Sequence, residues 1–531
     1  MGVLRFWIPQ QLPIELRSGI NQSFRAGDYD HSPLPTRIEV QEDQLLLYWQ
    51  RDESSLTHIP WKIPGVGQIL NRTATLIESP SNYRLTIEMT RGKLNQVRNQ
   101  LADWESNGLI VWQQIRDILH QATHYLGQGI LESPSPSPSP EIVARDASAS
   151  NSLEESAPEK LDKESIRRQG DKADQLALEG LRLVHAAADE LVESYVKQVF
   201  ELRHKEQARI PSVIGCRLHE TPQGNLESAY LRSFNSVCVP MIWSQIEPKE
   251  TTYQWAAIDS VLNWAEKNHL DISAGPLIDL SPFGLPDWLH PWRHDGLTVA
   301  SFMCDFVETI VSRYRQRISR WHLCRGLNLG LGLNLGEDER IRLTGRLIEA
   351  AWSIDPDLNL VIGISQPWGE YLVNEEHTYS PFVYADTLIR AGIDLAALEL
   401  EFTMGIASRG SYCRDTLESS QLIDTFGLLG LPIQISMAMP SSNNRDDLAA
   451  PGATIGSFGY FRDGFNWAAQ ASWIRSMAAM ALSKDHVTGV IWEHFADSYP
   501  HQFPNCGLVD AQGQILPGLD ELSELRRAHF V

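Results

Sequence analysis

SRWHLCRGLN, Ser319 to Asn328, sets the apolar residues Trp321, Leu323 and Cys324 between a basic helical tail (Ser312, Arg313, Tyr314, Arg315, Arg317) and a loop containing Gly and Asn. A buried parallel strand that leaves a helix and opens into a loop has this pattern. The pattern recurs from Pro211 to the end of the chain. Candidate strands are Val213 to Cys216, Ser236 to Ile242, Asp271 to Leu277, Arg320 to Cys324, Leu360 to Ile364, Ala396 to Phe402, Pro432 to Met437 and Thr488 to Trp492. Helical segments separate them, among them Ile258 to Asn268, Val299 to Arg315, Glu337 to Ser353, Pro381 to Gly392, Thr416 to Leu429 and Asn466 to Ser483. Eight strands alternating with helices predict an α/β fold, a (β/α)8 TIM barrel over 207–531.

Upstream, residues 1–130 read as a small β-rich domain with a helical tail. Its expected strands are Val3 to Ile8, Arg37 to Val40, Leu45 to Trp49, Leu56 to Ile63, Ala74 to Glu78 and Tyr83 to Met89, with a hairpin tip at Glu42 and Asp43. The period turns helical at Lys93, with Leu94, Val97, Leu101 and Trp104 on one face, and a second helix runs from Leu109 to Leu126. Trp7, Trp49 and Trp61 read as packing residues rather than a glycan-binding face. A strict Ser-Pro repeat from Ser133 to Pro140 opens a segment too poor in apolar residues to order itself, so 131–159 is expected to be a disordered linker. A long helix over 160–206 follows it.

Charge and composition exclude several classes of partner. A formal net charge of −22 argues against nucleic acid and anionic membranes. No stretch has signal-peptide character or the roughly 20 apolar residues of a membrane span, so a cytoplasmic location is expected. The six Cys are scattered singly, as buried reduced thiols would be, and no metal or cofactor is expected. His494 and His501 are separated by a loop interval and read as surface or turn residues. The Gly-Leu run Leu329 to Gly336 lacks the Lys and Ser/Thr of a phosphate cradle.

A set of ordered landmarks resembles glycoside hydrolase family 10, the endo-β-1,4-xylanases. They are Phe234-Asn235-Ser236, Trp243 with Ile246-Glu247-Pro248, Tyr253 with Trp255 and Asp259, Leu285-Pro286 with Trp288, Arg313-Tyr314 before Trp321, Asp355-Pro356, Gly430-Leu431-Pro432-Ile433, Gln470-Ala471 and Gly507-Leu508-Val509-Asp510. The resemblance implies a xylanase-like barrel acting on a β-linked glycan through two Glu, an acid/base after strand four and a nucleophile on strand seven. A retaining glycosidase needs such a pair about 5 Å apart. Here the strand-four motif ends in Arg325-Gly326, and the strand-seven motif reads Ile435-Ser436-Met437-Ala438-Met439. Gly326 and Met437 thus stand at the acid and nucleophile positions, and neither can transfer a proton or attack a sugar. The Gly-His expected on strand three reads Gly275-Pro276.

Other carboxylates keep chemistry open. Glu399 and Glu401 share one face of strand six, since side chains two apart on a strand point the same way. With Glu493 they are the catalytic candidates, and Arg325 is the expected partner of Glu401. Held by arginines, the same Glu pair reads as a structural one. Trp243, Arg325, Asn328, Gln366, Trp368, Glu370 and Trp492 are the expected substrate-binding residues, with Asp279, His494 and Asp497 nearby. Three functions follow: a pseudoenzyme that binds a β-linked carbohydrate, a glycosidase with relocated carboxylates such as Glu401 and Glu493, or an interaction barrel with no ligand. The absence of a visible export signal weighs against extracellular xylan as substrate.

Overall fold

The computed structural model describes residues 2–9, 19–27, 31–41, 43–49, 54–79, 81–134, 163–281, 283–330, 333, 335–374, 379–407 and 409–531. These form two compact units, one of Met1–Tyr195 with Leu372–Glu376, the other of Val196–Tyr371 with His377–Val531. The expected linker lies outside the described residues from position 135 onward.

In the first unit, β1 (Gly2–Trp7) pairs antiparallel with β5 (Gln44–Trp49), which pairs in turn with β4 (Arg37–Val40). The β4–β5 tip residue Glu42 lies outside the described residues. A second sheet sets β7 (Gly67–Arg72) beside β6 (Leu56–Ile63), β2 (Phe24–Ala26) and β3 (Pro33–Leu34). Two expected strands are corrected. Ala74 to Glu78 forms only a bridge between Leu76 and Ser55, because Pro80 soon ends any run that could extend it. Tyr83 to Met89 yields a two-residue β8 (Tyr83–Arg84), after which α1 (Leu85–Ser106) begins eight residues before Lys93. The first turns of this helix are buried on all sides, Leu85 to Thr90 without a break, so no one-sided stripe marks its start, whereas Leu94, Val97 and Leu101 lie on one face further along. The second helix is α2 (Gln113–Glu132). The long helix α3 (Lys163–Glu206) buries Ala173, Ala177, Leu181, Val184, Ala188 and Leu191 at spacings of three and four. Small residues on this face let it approach α1 closely: Thr90 Oγ1 donates to the Ala177 carbonyl at 2.8 Å, and Arg84 pairs with Asp174 at 2.8 Å.

The second unit is a closed parallel barrel. Its strands are β9 (Val213–Arg217), β10 (Ser236–Val239), β11 (Asp271–Ala274) continued by β12 (Ile278–Asp279), β13 (Arg320–Arg325), β14 (Leu360–Ile364), β15 (Ala397–Thr403), β16 (Ile433–Ala438) and β17 (Val487–Trp492). Each pairs parallel with the next. β17 closes on β9 (Trp492 opposite Cys216), and β11 closes on β13 (Ala274 opposite Trp321). This is the (β/α)8 architecture the sequence predicts.

Strand three is split because the chain must pass β13 closely. A Cβ on Gly275 would lie 2.1 Å from the His322 carbonyl oxygen, and its φ of +123° suits glycine alone. Around the barrel run α4 (Asn225–Ser233), α5 (Ala256–Lys267), α6 (Gly296–Tyr314), α7 (Glu337–Ile354), α8 (Pro381–Arg390), α9 (Thr416–Gly427), α10 (Trp467–Ser483) and α11 (Pro517–His529). Alternation along β15 decides what faces the axis. Leu398, Leu400 and Phe402 pack outward against helices, so Glu399, Glu401 and Thr403 must point inward.

Candidate functional site at the barrel mouth

Strand ends bring eight ionisable side chains to the C-terminal mouth, each at most 8% exposed. They are Arg217 from β9, Asp279 from β12, His322 and Arg325 from β13, Glu399 and Glu401 from β15, Arg409 from the segment after β15, and Glu493 just past β17. Glu399 is gripped on both oxygens, by Arg217 Nη2 at 2.5 Å and His322 Nδ1 at 2.5 Å. Glu493 accepts Arg325 Nη1 on both oxygens at 3.0 Å and stands 3.3 Å from Arg217 Nε. Asp279 joins Arg325 Nε at 3.0 Å to Arg409 Nη1 at 2.6 Å. Arg325 also donates to Gln502.

Glu401 differs from its strand mate. Neither of its carboxyl oxygens has a hydrogen-bond partner among the described residues, and its nearest cation, Arg325 Nε, is 3.5 Å away. The titration directions follow from these contacts. Burial alone would raise all four carboxyls. For Glu399 the Arg217 and His322 charges outweigh burial and hold it well below the usual range. Arg409 and Arg325 do the same for Asp279, and Arg325 and Arg217 lower Glu493. For Glu401 burial wins over Arg325 and Arg409, and the neighbouring Glu493 pushes it further up. Burial lowers His322, which stays neutral. Three guanidinium groups thus face the three depressed carboxyls, and Glu401 is the one carboxyl of the network that holds its proton more tightly than usual.

The space left over is small. The cavity among Arg217, Trp243, Asp279, Arg325 and Glu493 holds about 30 Å³, room for one or two waters at roughly 15 Å³ each and far short of the ~300 Å³ of a small-molecule pocket. At the floor of the loop after β13, Gly326 has φ +76°, and a Cβ there would lie 3.3 Å from Arg409 Nη2. Met437 is 1% exposed on β16, in register with Phe402 and Trp492.

Of the sequence-predicted site residues, Arg325, Glu399, Glu401 and Glu493 meet in this network. Trp243 borders the cavity, buried, with Nε1 on Glu247 at 2.8 Å. The others hold the frame around it. Asn328 exchanges hydrogen bonds with the Ser365 backbone at 2.7 and 3.2 Å. Gln366 Nε2 donates to the Gly410 carbonyl, and Glu370 receives Arg414 at 2.6 Å and the Tyr412 amide at 3.2 Å. Trp368 packs between Phe402 and Arg414. Trp492 Nε1 donates to the Cys506 carbonyl at 2.8 Å.

His494 and His501 correct an expectation. They are 1% and 0% exposed rather than on the surface, because each ring finds a carboxylate, Asp497 at 2.8 Å and Asp446 at 2.9 Å, and the two rings stack at 4.4 Å. With Asp497 they offer ligand-type atoms within 4.8 Å of one another. The rings lie face to face at 12°, so their in-plane lone pairs run side by side and do not converge on one point.

Beside the network, a larger cleft of about 630 Å³ opens between the segments that follow β9 and β10. Arg217, His322, Arg409 and His219, which borders both cavities, escaped the sequence reading. The signal for the first two was a basic residue inside an apolar strand, Val213–Arg217 and Arg320–Arg325, where burial requires a partner.

Residues 204–324 match the profile of glycosyl hydrolase family 10. The endo-1,4-beta-xylanase 2 of Aureobasidium pullulans is 24% identical over 119 residues, which are 22% of this chain and 32% of that protein. The match thus spans about a third of the curated relative. Among solved structures, xylanase 10B of Thermotoga maritima shares 14% identity over 60% of this chain and 95% of its own, with a TM-score of 0.43. Xylanase B of Clostridium stercorarium F9 shares 16% over 59% and 96%, TM-score 0.43. Xylanase 10C of Cellvibrio japonicus, a mutant solved with xylopentaose, shares 15% over 59% and 67%, TM-score 0.43. The profile match covers the first part of the second unit, whose fold is a parallel (β/α)8 barrel. Among the described residues no helix is long and apolar enough to cross a membrane.

Proposed function

We propose that this family 10-like barrel is a non-hydrolytic protein that binds a β-linked glycan. The observation that carries the reading is Arg325, which stands before the motif's acid position and ties Asp279 and Glu493 together across the axis. On the family resemblance the scissile bond would lie beside that guanidinium, and only about 30 Å³ remains there. The motif positions support the same reading. Gly326 sits at positive φ with Arg409 against it, a backbone that disfavours Glu by about 1–2 kcal/mol. Met437 offers no nucleophile. The likeness of residues 204–324 to family 10 and to an endo-1,4-beta-xylanase supports the glycan class.

One observation favours a second reading, a glycosidase with relocated carboxylates. Glu401 is raised and Glu493 lowered, both against Arg325, and carboxyls pushed apart in this way are the pattern of an acid and a nucleophile. A single assay separates the two. Reducing-end release from xylan and xylopentaose by the full chain is expected to equal the buffer blank. Turnover that disappears in Glu401→Gln or Glu493→Gln, with the melting curve intact, would overturn the non-hydrolytic reading.

A further inference from the structure

The glycan reading leaves open where a ligand would sit, since the axial position is filled. The cleft beside it differs in every respect. It holds about 630 Å³, within the ~300–1,000 Å³ range of ligand pockets. Fourteen residues line it, and none is Asp, Glu, Lys or Arg, in a chain where 21% of residues are charged. Such a lining leaves an ionic ligand without a counter-charge and suits a neutral one.

Its polar groups are unspent. The side-chain amides of Gln245 and Gln254 are exposed and make no hydrogen bond within the described protein. His219 lies against Tyr499 at 4.9 Å with the rings tilted by 41°, yet its Nδ1 is buried without a partner. Burial, with His494, His501 and Arg217 nearby, holds this imidazole down at about 3, so near neutral pH it offers one donor and one acceptor rather than a charge. Tyr253 and Trp255, stacked at 5.0 Å and 8°, form a fixed aromatic wall, with Arg313 over Trp255 at 4.8 Å. An aromatic wall with free amides and a neutral imidazole matches the alternating apolar faces and hydroxyl edges of a sugar.

We infer that the cleft between the segments after β9 and β10 is the binding site for a neutral β-linked oligosaccharide, held by Gln245, Gln254 and His219 beside the barrel axis rather than across it. This rests on the glycan-binding reading above and adds to it a place and a charge class. The ligand meets no carboxylate and undergoes no reaction there.

Calorimetric titration of the full chain with xylopentaose, cellopentaose and a glucuronic-acid-bearing xylo-oligosaccharide tests the inference. Three proteins are compared: the natural chain, Gln245→Ala/Gln254→Ala, and Ala257→Trp, which places an indole in the cleft from an exposed position on the first turn of α5. The natural chain is expected to bind at least one neutral pentaose, and more tightly than the acidic one. Loss of two hydrogen-bonding amides should weaken binding about ten-fold, and Ala257→Trp should abolish it. Melting curves report folding, and should Ala257→Trp fail to fold, the double amide variant decides. Unchanged affinity in the folded variants overturns the site while leaving glycan binding in place. Tighter binding of the acidic sugar overturns the charge class. Failure of every neutral pentaose to bind the natural chain overturns both the site and the glycan reading.

Discussion

Two cavities share the mouth of one barrel, and almost everything about them is opposite. On the axis, Arg217, Arg325 and Arg409 interlock with Asp279, Glu399 and Glu493 and leave about 30 Å³. Beside the axis, an uncharged cleft of about 630 Å³ keeps its amides free. A site that does chemistry on a substrate keeps its ionisable groups addressable by that substrate. Here all but Glu401 address one another. On the non-hydrolytic reading proposed above, the ionic cluster belongs to the stability of the barrel, and the uncharged cleft is the surface with groups left to offer.

The largest effect that can break this comparison is loss of the central guanidinium. Arg325→Leu would leave Asp279, Glu401 and Glu493 facing one another in a buried site. Removing one partner of a buried ion pair typically costs about 3–5 kcal/mol, and urea unfolding of the barrel should report a loss of that size. The matched change in the cleft, Gln254→Ala, should stay within about 0.5 kcal/mol, as exposed substitutions do. Equal small effects in both would show that the network contributes nothing, and the contrast would collapse.

Acid should act on the network next. Asp279, Glu399 and Glu493 are depressed, so their contribution is present above the ordinary carboxylate range and is lost as pH falls through their folded values. His219, His322 and His494 are also depressed, chiefly by burial, and His219 to about 3. Their unfolded forms take up protons below about pH 6.5 while the folded forms stay neutral, so they too favour unfolding as pH falls. Both sets have the same sign. The barrel's melting temperature should decline from about pH 6.5 downward and steepen below about pH 4. A flat profile between pH 7 and pH 5 would show that these imidazoles are not held neutral.

How much of this was legible in the sequence follows from what each residue type can reveal alone. The eight strands were legible because an apolar run bounded by loops at helix-length spacing has few other readings, and Leu360–Ile364 has the same ends in both accounts. The exchange of side chains within the network was not. Arg409 lies in the segment after β15 and reaches Asp279, 130 positions earlier, and no local pattern encodes that separation. Arg217 was passed over because a basic residue at a strand end also suits solvent exposure, and His322 because a lone His in an apolar strand has no local sign of its partner. In the first unit, Tyr83 to Met89 misled because its bulky residues suit a strand locally, and the first turns of α1 are buried on all sides and so show no helical stripe. The cleft escaped because its defining property is a lack of charge among residues drawn from three separate segments.

The smallest expected effect is the most discriminating, because it turns on one proton. Glu399 and Glu401 lie two residues apart on β15, both 2% exposed, yet only Glu399 is hydrogen-bonded. Burial, reinforced by Glu493, raises the Glu401 carboxyl above its unfolded value despite Arg325 and Arg409. A raised carboxyl binds its proton more tightly when folded. The contribution of this one group thus declines as pH rises from about 4.3, the unfolded value, through the folded one, opposite in sign to that of the other carboxyls and the imidazoles. Glu401→Gln keeps the shape and removes the titration. The two proteins should be close in stability at pH 4.5, and the variant should gain on the natural chain by about 1 kcal/mol for each unit of that rise. Denaturant unfolding at pH 4.5, 6 and 8 reads the difference directly. If the variant instead loses ground as pH increases, Glu401 is ionised and paired in the folded barrel. The network would then carry a net negative charge, and the electrical balance that separates it from the neutral cleft would not hold.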